Sequence, residues 1–204
     1  MSNVNKNISE SSLTRVWKHT QKHEAGIITA FRSKEGCGTK KDKPINTSQN
    51  LARNAKLKAK LMQLGYGVTE VDGSYFEKYK TDQQVEVKEK SFLVIDLNDS
   101  GNLKSDLMKL GEYFMQDSII FGKPNGDYYL ISTNECPLGY PGRGKIGVEE
   151  KQGKALFGKD GEFFSRVKGR PFVFTKVDPD LEEITNYYPT EIRSIKALAE
   201  CVKI

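Results

Sequence analysis

The sequence predicts an α/β or α+β fold, a single domain with a mixed β-sheet packed by two or three helices. Three observations predict it. The runs "AGIITAF" (25–31) and "VEVKEKSFLVIDL" (85–97) are β-branched or alternating, as strands are. The segments "NTSQNLARNAKLKAKLMQLGYG" (46–67) and "NDSGNLKSDLMKLGEYFMQ" (98–116) repeat leucine at helical spacing. The runs "DSIIFG" (117–122) and "DYYLIS" (127–132) flank the turn "KPNG", a hairpin signal. At 204 residues the chain suits one domain with extensions. The expected division is an N-terminal extension over 1–24, the α/β domain over 25–177 and a C-terminal segment over 178–204.

Taken in order, residues 1–12 are Ser/Asn-rich, and "LTRVWKHTQK" (13–22) makes a short helix anchored by Trp17. The strand at 25–31 leads into a basic loop, "SKEGCGTKKDKP" (33–44), broken by Gly36, Gly38 and Pro44. The helix that follows is capped by Thr47 or Ser48 and stopped by Gly65, with Leu57, Leu61 and Leu64 facing inward. "YGVTEVDG" (66–73) leaves it as a strand, and 74–84 read as a polar loop before the strand at 85–97. In the second helix Leu103, Leu107, Leu110 and Phe114 form the stripe. After the hairpin come a glycine-rich loop, "CPLGYPGRGKIG" (136–147), and a polar stretch over 148–170 with weak periodicity. "RPFVFTKV" (170–177) is a late strand, and "TEIRSIKALAECV" (190–202) a closing helix.

Mean hydropathy is −0.59, and no run approaches the 18 apolar residues of a membrane span. The first 20 residues lack the apolar centre of a signal peptide, so a cytoplasmic location is expected. Cys37, Cys136 and Cys201 are far apart and odd in number, which reads as idle thiols with no disulfide framework and no zinc site. The net charge of +5 is mild, but residues 31–60 hold nine Lys/Arg against two acids and 139–170 hold eight against four. Two such segments form one surface for an anionic partner if the fold brings them together.

Several residues are polar where the pattern asks for apolar ones. The stripe of the first long helix, carried back, lands on Asn54 and Asn50 with Arg53 beside them. In the strand 85–97 the face of Val85, Val87, Leu93 and Ile95 also carries Glu89 and Ser91. A buried carboxylate needs a partner, so Arg53 is expected to pair with Glu89, the asparagines satisfying what remains. Gln116 and Asp117 add a polar pair at the next helix–strand junction. Together these residues are expected to line one cleft.

At these residues the chain resembles the DUF3293 family. The motifs are "ITAF" (28–31), N-x-x-RN (50–54), "LGYGV" (64–68), E-x-SFLV (89–94) and "QDSIIFG" (116–122). The resemblance spans about 25–122, and that family is a domain of unknown function, so it implies no reaction. It singles out Asn50, Arg53, Asn54, Glu89, Ser91, Gln116 and Asp117. The compact, lysine-rich style also resembles a bacteriophage accessory protein.

Other motifs fall short. "GYPGRGKI" (139–146) sets Gly139, Gly144 and Lys145 as a phosphate-binding P-loop does, but Ile146 replaces the magnesium-binding hydroxyl. Phosphate contact through backbone N–H groups, Arg143 and Lys145 is the reading that survives. His19 and His23 share a helical face without further metal ligands in sequence. No metal and no cofactor are expected.

The reading preferred on these grounds is a binding or inhibitory protein. Its partner is anionic: nucleic acid, a nucleotide, or a defence or toxin enzyme of the host that handles one. The alternative is an enzyme, with Glu89 (and Asp117) as general acid/base, Arg53 as anion clamp and Asn50, Asn54, Ser91 and Gln116 around the ligand. A structural or virion component without a site is the third.

Overall fold

A computed structural model describes residues 13–77, 85–157, 163–167 and 170–175. The elements are α1 (Leu13–Thr20), β1 (Ala25–Ile28), α2 (Thr47–Gln63), β2 (Gly67–Glu77), β3 (Val85–Ile95), α3 (Leu103–Tyr113), β4 (Ser118–Gly122), β5 (Tyr128–Ser132), β6 (Glu149–Phe157), β7 (Phe163–Val167) and β8 (Arg170–Thr175). The single α+β domain expected from sequence is what forms. Its sheet closes into a barrel in the order β1-β3-β2-β7-β8-β6-β5-β4. Every strand pair is antiparallel, where a mixed sheet was expected. The stretch 148–170, read as merely polar, supplies β6 and β7, and β2 runs on into the supposed loop at 74–77. The closing helix expected at 190–202 lies outside the described residues, as does the whole of the expected C-terminal segment.

An eight-stranded barrel is just wide enough for side chains to fill, so its strands need two apolar faces. One buried cluster joins Ala25, Ile27, Val71, Leu93, Ile95, Ile120, Tyr128 and Leu130, which alternation places inside the barrel. Val16 of α1 belongs to that cluster and closes the end where β1 begins. The second cluster joins Ile28, Phe92, Val94, Ile119, Phe121 and Ile131, on the outer face, to Leu57 and Leu61 of α2 and Leu103, Leu107 and Leu110 of α3. Burying these two layers is the main force holding the fold. Gly26 lets α3 sit directly on β1: a Cβ there would lie 2.4 Å from Leu107 Cδ1 and 2.6 Å from the Ile120 carbonyl oxygen.

Helix α2 starts one residue earlier than expected. Asn46, not Thr47 or Ser48, is its cap, and its side chain and that of Gln49 each accept the other's backbone N–H, at 2.9 Å. The helix stops as expected at Gly65, whose φ is +86°. Leu57 and Leu61 are fully buried, but Leu64 is the C-cap and exposed. The stripe of α3 is buried as expected through Phe114. No described helix is long and apolar enough to cross a membrane.

Candidate functional site

The polar edge of α2 has a definite use. Strand β1 ends at Ile28, which leaves the backbone of 30–32 without a neighbouring strand. Asn54 and Asn50, one helical turn apart, reach two alternate residues of that backbone. Asn54 Oδ1 accepts from Ala30 N at 2.7 Å and its Nδ2 donates to the Lys90 carbonyl at 2.9 Å. Asn50 Oδ1 accepts from Arg32 N at 2.9 Å and its Nδ2 donates to the Arg32 carbonyl at 2.8 Å. Both asparagines are buried, so each amide replaces the partners that a strand would have offered.

Arg53 does not meet Glu89. Its Nε donates to the Ala30 carbonyl at 2.7 Å and Nη2 to the Phe114 carbonyl at 2.6 Å, tying β1 to the end of α3. The guanidinium also lies 5.8 Å from the centre of the Phe114 ring. Burial, and then the Arg32 guanidinium nearby, lowers its pKa. The expected ion pair fails for a geometrical reason. Helix α2 packs on the face of Phe92 and Val94, whereas Glu89 shares the opposite face with Ser91, Leu93 and Ile95. The single cleft expected from sequence is therefore divided by the sheet.

On the outer side, Gln116 Nε2 donates to the carbonyls of Phe31 (3.3 Å) and Phe114 (3.2 Å). Asp117 Oδ1 accepts from Asn134 Nδ2 at 2.9 Å and Arg32 Nη1 at 3.3 Å. Sequence reasoning passed over Arg32 and Asn134. The i, i+4 asparagines facing an alternating backbone were the available signal for the first. The supposedly idle thiols are also paired here: Cys37 and Cys136 form a disulfide with Cα atoms 5.2 Å apart. It joins the basic loop to the start of the glycine loop. Arg143 and Lys145 are both exposed, the former at φ +44°. His23 Nδ1 lies 2.8 Å from Asp99 Oδ1, and no metal-holding cluster occurs among the described residues.

On the side of the barrel formed by β3, β4 and β5, the inner face changes from apolar to polar along the axis. Above Ile27, Leu93 and Leu130 come Ser91, Ser118 and Ser132, brought level by the β1–β3, β1–β4 and β4–β5 registers. Glu89 stands one step beyond Ser91, with Gly73 opposite it in β2. Ser132 Oγ donates to the Lys145 carbonyl at 2.7 Å and accepts from Val148 N at 2.9 Å, so the glycine loop folds against this end. Glu89 has no hydrogen-bond or ion-pair partner among the described residues, and burial alone pushes its carboxyl up to about 7. At neutral pH it is divided between acid and carboxylate. A cation placed beside it would complete its ionisation.

The family model for the S-adenosylmethionine lyase family matches residues 26–188. The chain belongs to that family. Comparison with the curated proteins returns no match. The match corrects two expectations. The likeness to DUF3293 over 25–122 does not hold as membership, since the matched family runs through that region and on past β8. The binding or inhibitory reading, with its anionic partner, host-defence target and phage-accessory role, gives way to a family of enzymes. The matched range takes in β1 from its second residue and all of β2 through β8, and thus both the barrel interior and the corner around Asp117.

Proposed function

We propose that this S-adenosylmethionine lyase family member cleaves the bond between sulfur and Cγ of the methionyl chain of S-adenosylmethionine, with Glu89 as the carboxylate facing the sulfonium. The observation that carries the proposal is the family match over 26–188. The barrel supplies its chemistry. The substrate carries a sulfonium and an ammonium against one carboxylate, so it is a net cation, and the sulfonium is already a good leaving group. A lyase must replace the broken bond without water or an oxidant. The methyl carbon offers no neighbouring C–H bond and no internal nucleophile. Cγ has both: a C–H on the adjacent carbon, whose electrons can form a double bond, and the substrate's own carboxylate, which can close a five-membered lactone. In either case the C–S electron pair goes to sulfur, the positive charge disappears and methylthioadenosine leaves.

Glu89 supports this reading in two ways. Its carboxylate, drawn into full ionisation by the sulfonium, gives the cation a place in a low-dielectric lining. Its pKa of about 7 also suits a group that takes a proton near neutrality, should the double-bond route operate. Asn50, Arg53, Asn54 and Gln116 support the site from outside the barrel by holding 30–32 and α3 in place. The test is incubation with S-adenosylmethionine and mass spectrometry of the products. Methylthioadenosine is expected to accumulate as substrate disappears, with either the lactone or the unsaturated amino acid as co-product. No consumption of substrate would overturn the proposal.

A further inference from the structure

The loop over 33–46 has no buried residue, and its own hydrogen bonds are mostly internal: Glu35 N to the Lys43 carbonyl, Ile45 N to the Ser33 carbonyl and Thr39 N to Asp42. Among the described residues, helix α2 aside, only two features tie it to the rest of the fold. Arg32 donates to the carbonyls of Lys34 and Gly36. The Cys37–Cys136 disulfide does the rest. The two sulfurs sit differently. Cys136 is 2% exposed, and its backbone N–H is held by Asn134 Oδ1 in the corner with Asp117. Cys37 is half-exposed on the loop. Opening the bond therefore uncovers no core and breaks no strand ladder.

We propose that Cys37–Cys136 is a reversible redox clasp, which holds the lysine-rich loop 33–46 at the end of the barrel that Glu89 faces and releases it on reduction. The proposal does not depend on the reaction assigned to Glu89. A thiolate of a small thiol such as glutathione attacks the accessible Cys37 sulfur, and Cys136 leaves as a thiolate that takes a proton. A second thiolate attacks the mixed disulfide and frees Cys37. Two electrons pass to the protein, and two small thiols become one small disulfide. Reoxidation by that disulfide reverses each step.

The full chain is equilibrated in glutathione buffers of varied thiol-to-disulfide ratio. It is then alkylated and mass-mapped, and in parallel exposed briefly to trypsin. Cys37 and Cys136 are expected to lose and regain labelling together within the buffer range. Cleavage after Lys40 and Lys41 should be at least about tenfold faster in the reduced form, while far-ultraviolet circular dichroism stays the same. The Cys37→Ser variant should be cut at the reduced rate in every buffer. Equal cleavage in both forms, a bond that excess reduced glutathione cannot open, a pair that never oxidises, or loss of the barrel on reduction would each overturn the proposal.

Discussion

Replacing Glu89 with glutamine removes a charge that the fold has placed on the inner face of β3, without a partner among the described residues. Burial raises the carboxyl from its ordinary 4.5 to about 7. At about 1.36 kcal/mol per unit, that difference corresponds to about 3 kcal/mol. Since the folded-state value lies above the unfolded one, the folded protein holds the proton more tightly. The contribution of Glu89 is complete below pH 4.5, is lost as pH rises, and is missing in full above about 7. The amide keeps nearly the same shape and does not titrate. Urea unfolding of the natural chain and Glu89→Gln at pH 4.5, 6 and 8 isolates the effect, because all other groups cancel in the difference. Relative to the natural chain, the variant should gain about 3 kcal/mol between pH 4.5 and 8. A difference that stays flat would refute burial of the carboxylate. A difference of the opposite sign would mean that Glu89 is ion-paired after all, as the sequence pattern alone had suggested for Arg53.

Three further outcomes follow from particular contacts. Asn54→Ala leaves Ala30 N without an acceptor, while the Lys90 carbonyl keeps its bond from Thr29 Oγ1; the expected loss is about 2–3 kcal/mol by urea titration. Gly26→Ala presses a methyl group against Leu107 and a backbone oxygen that cannot rotate away, so its melt should fall by the equivalent of about 3 kcal/mol. Reducing Cys37–Cys136 lowers the melting temperature of a chain that stays folded, with a ceiling of about 4.7 kcal/mol for a closed loop of that length, the cysteines being 99 residues apart.

The parts of the fold that were legible in the sequence are those written in local periodicity. Leu103, Leu107, Leu110 and Phe114 repeat at the helical period, and "KPNG" sits between two apolar strands. The polar edge of α2 was legible as an anomaly. Its partner was not, because Asn50 and Asn54 bind main chain, and main chain has no side-chain signature. Glu89 was singled out because it interrupts an apolar face. The inference then failed on its partner, because β3 is buried on both faces: "FLVI" alternates between the barrel interior and the helix layer. Strand β6, "EEKQGKALF", lacks a regular apolar alternation and so read as loop. Barrel closure and the disulfide join residues far apart in the chain, and no window of sequence contains both partners.

The role of Glu89 is tested by the rate at which S-adenosylmethionine is consumed by the natural chain and by Glu89→Gln at pH 8, where the variant is predicted to be the more stable of the two. The natural chain should release methylthioadenosine. The folded variant should do so at least about 10²-fold more slowly, because the carboxylate that meets the sulfonium has become an uncharged amide. Equal rates in the two proteins would contradict the assignment of Glu89 and move the chemistry out of the barrel.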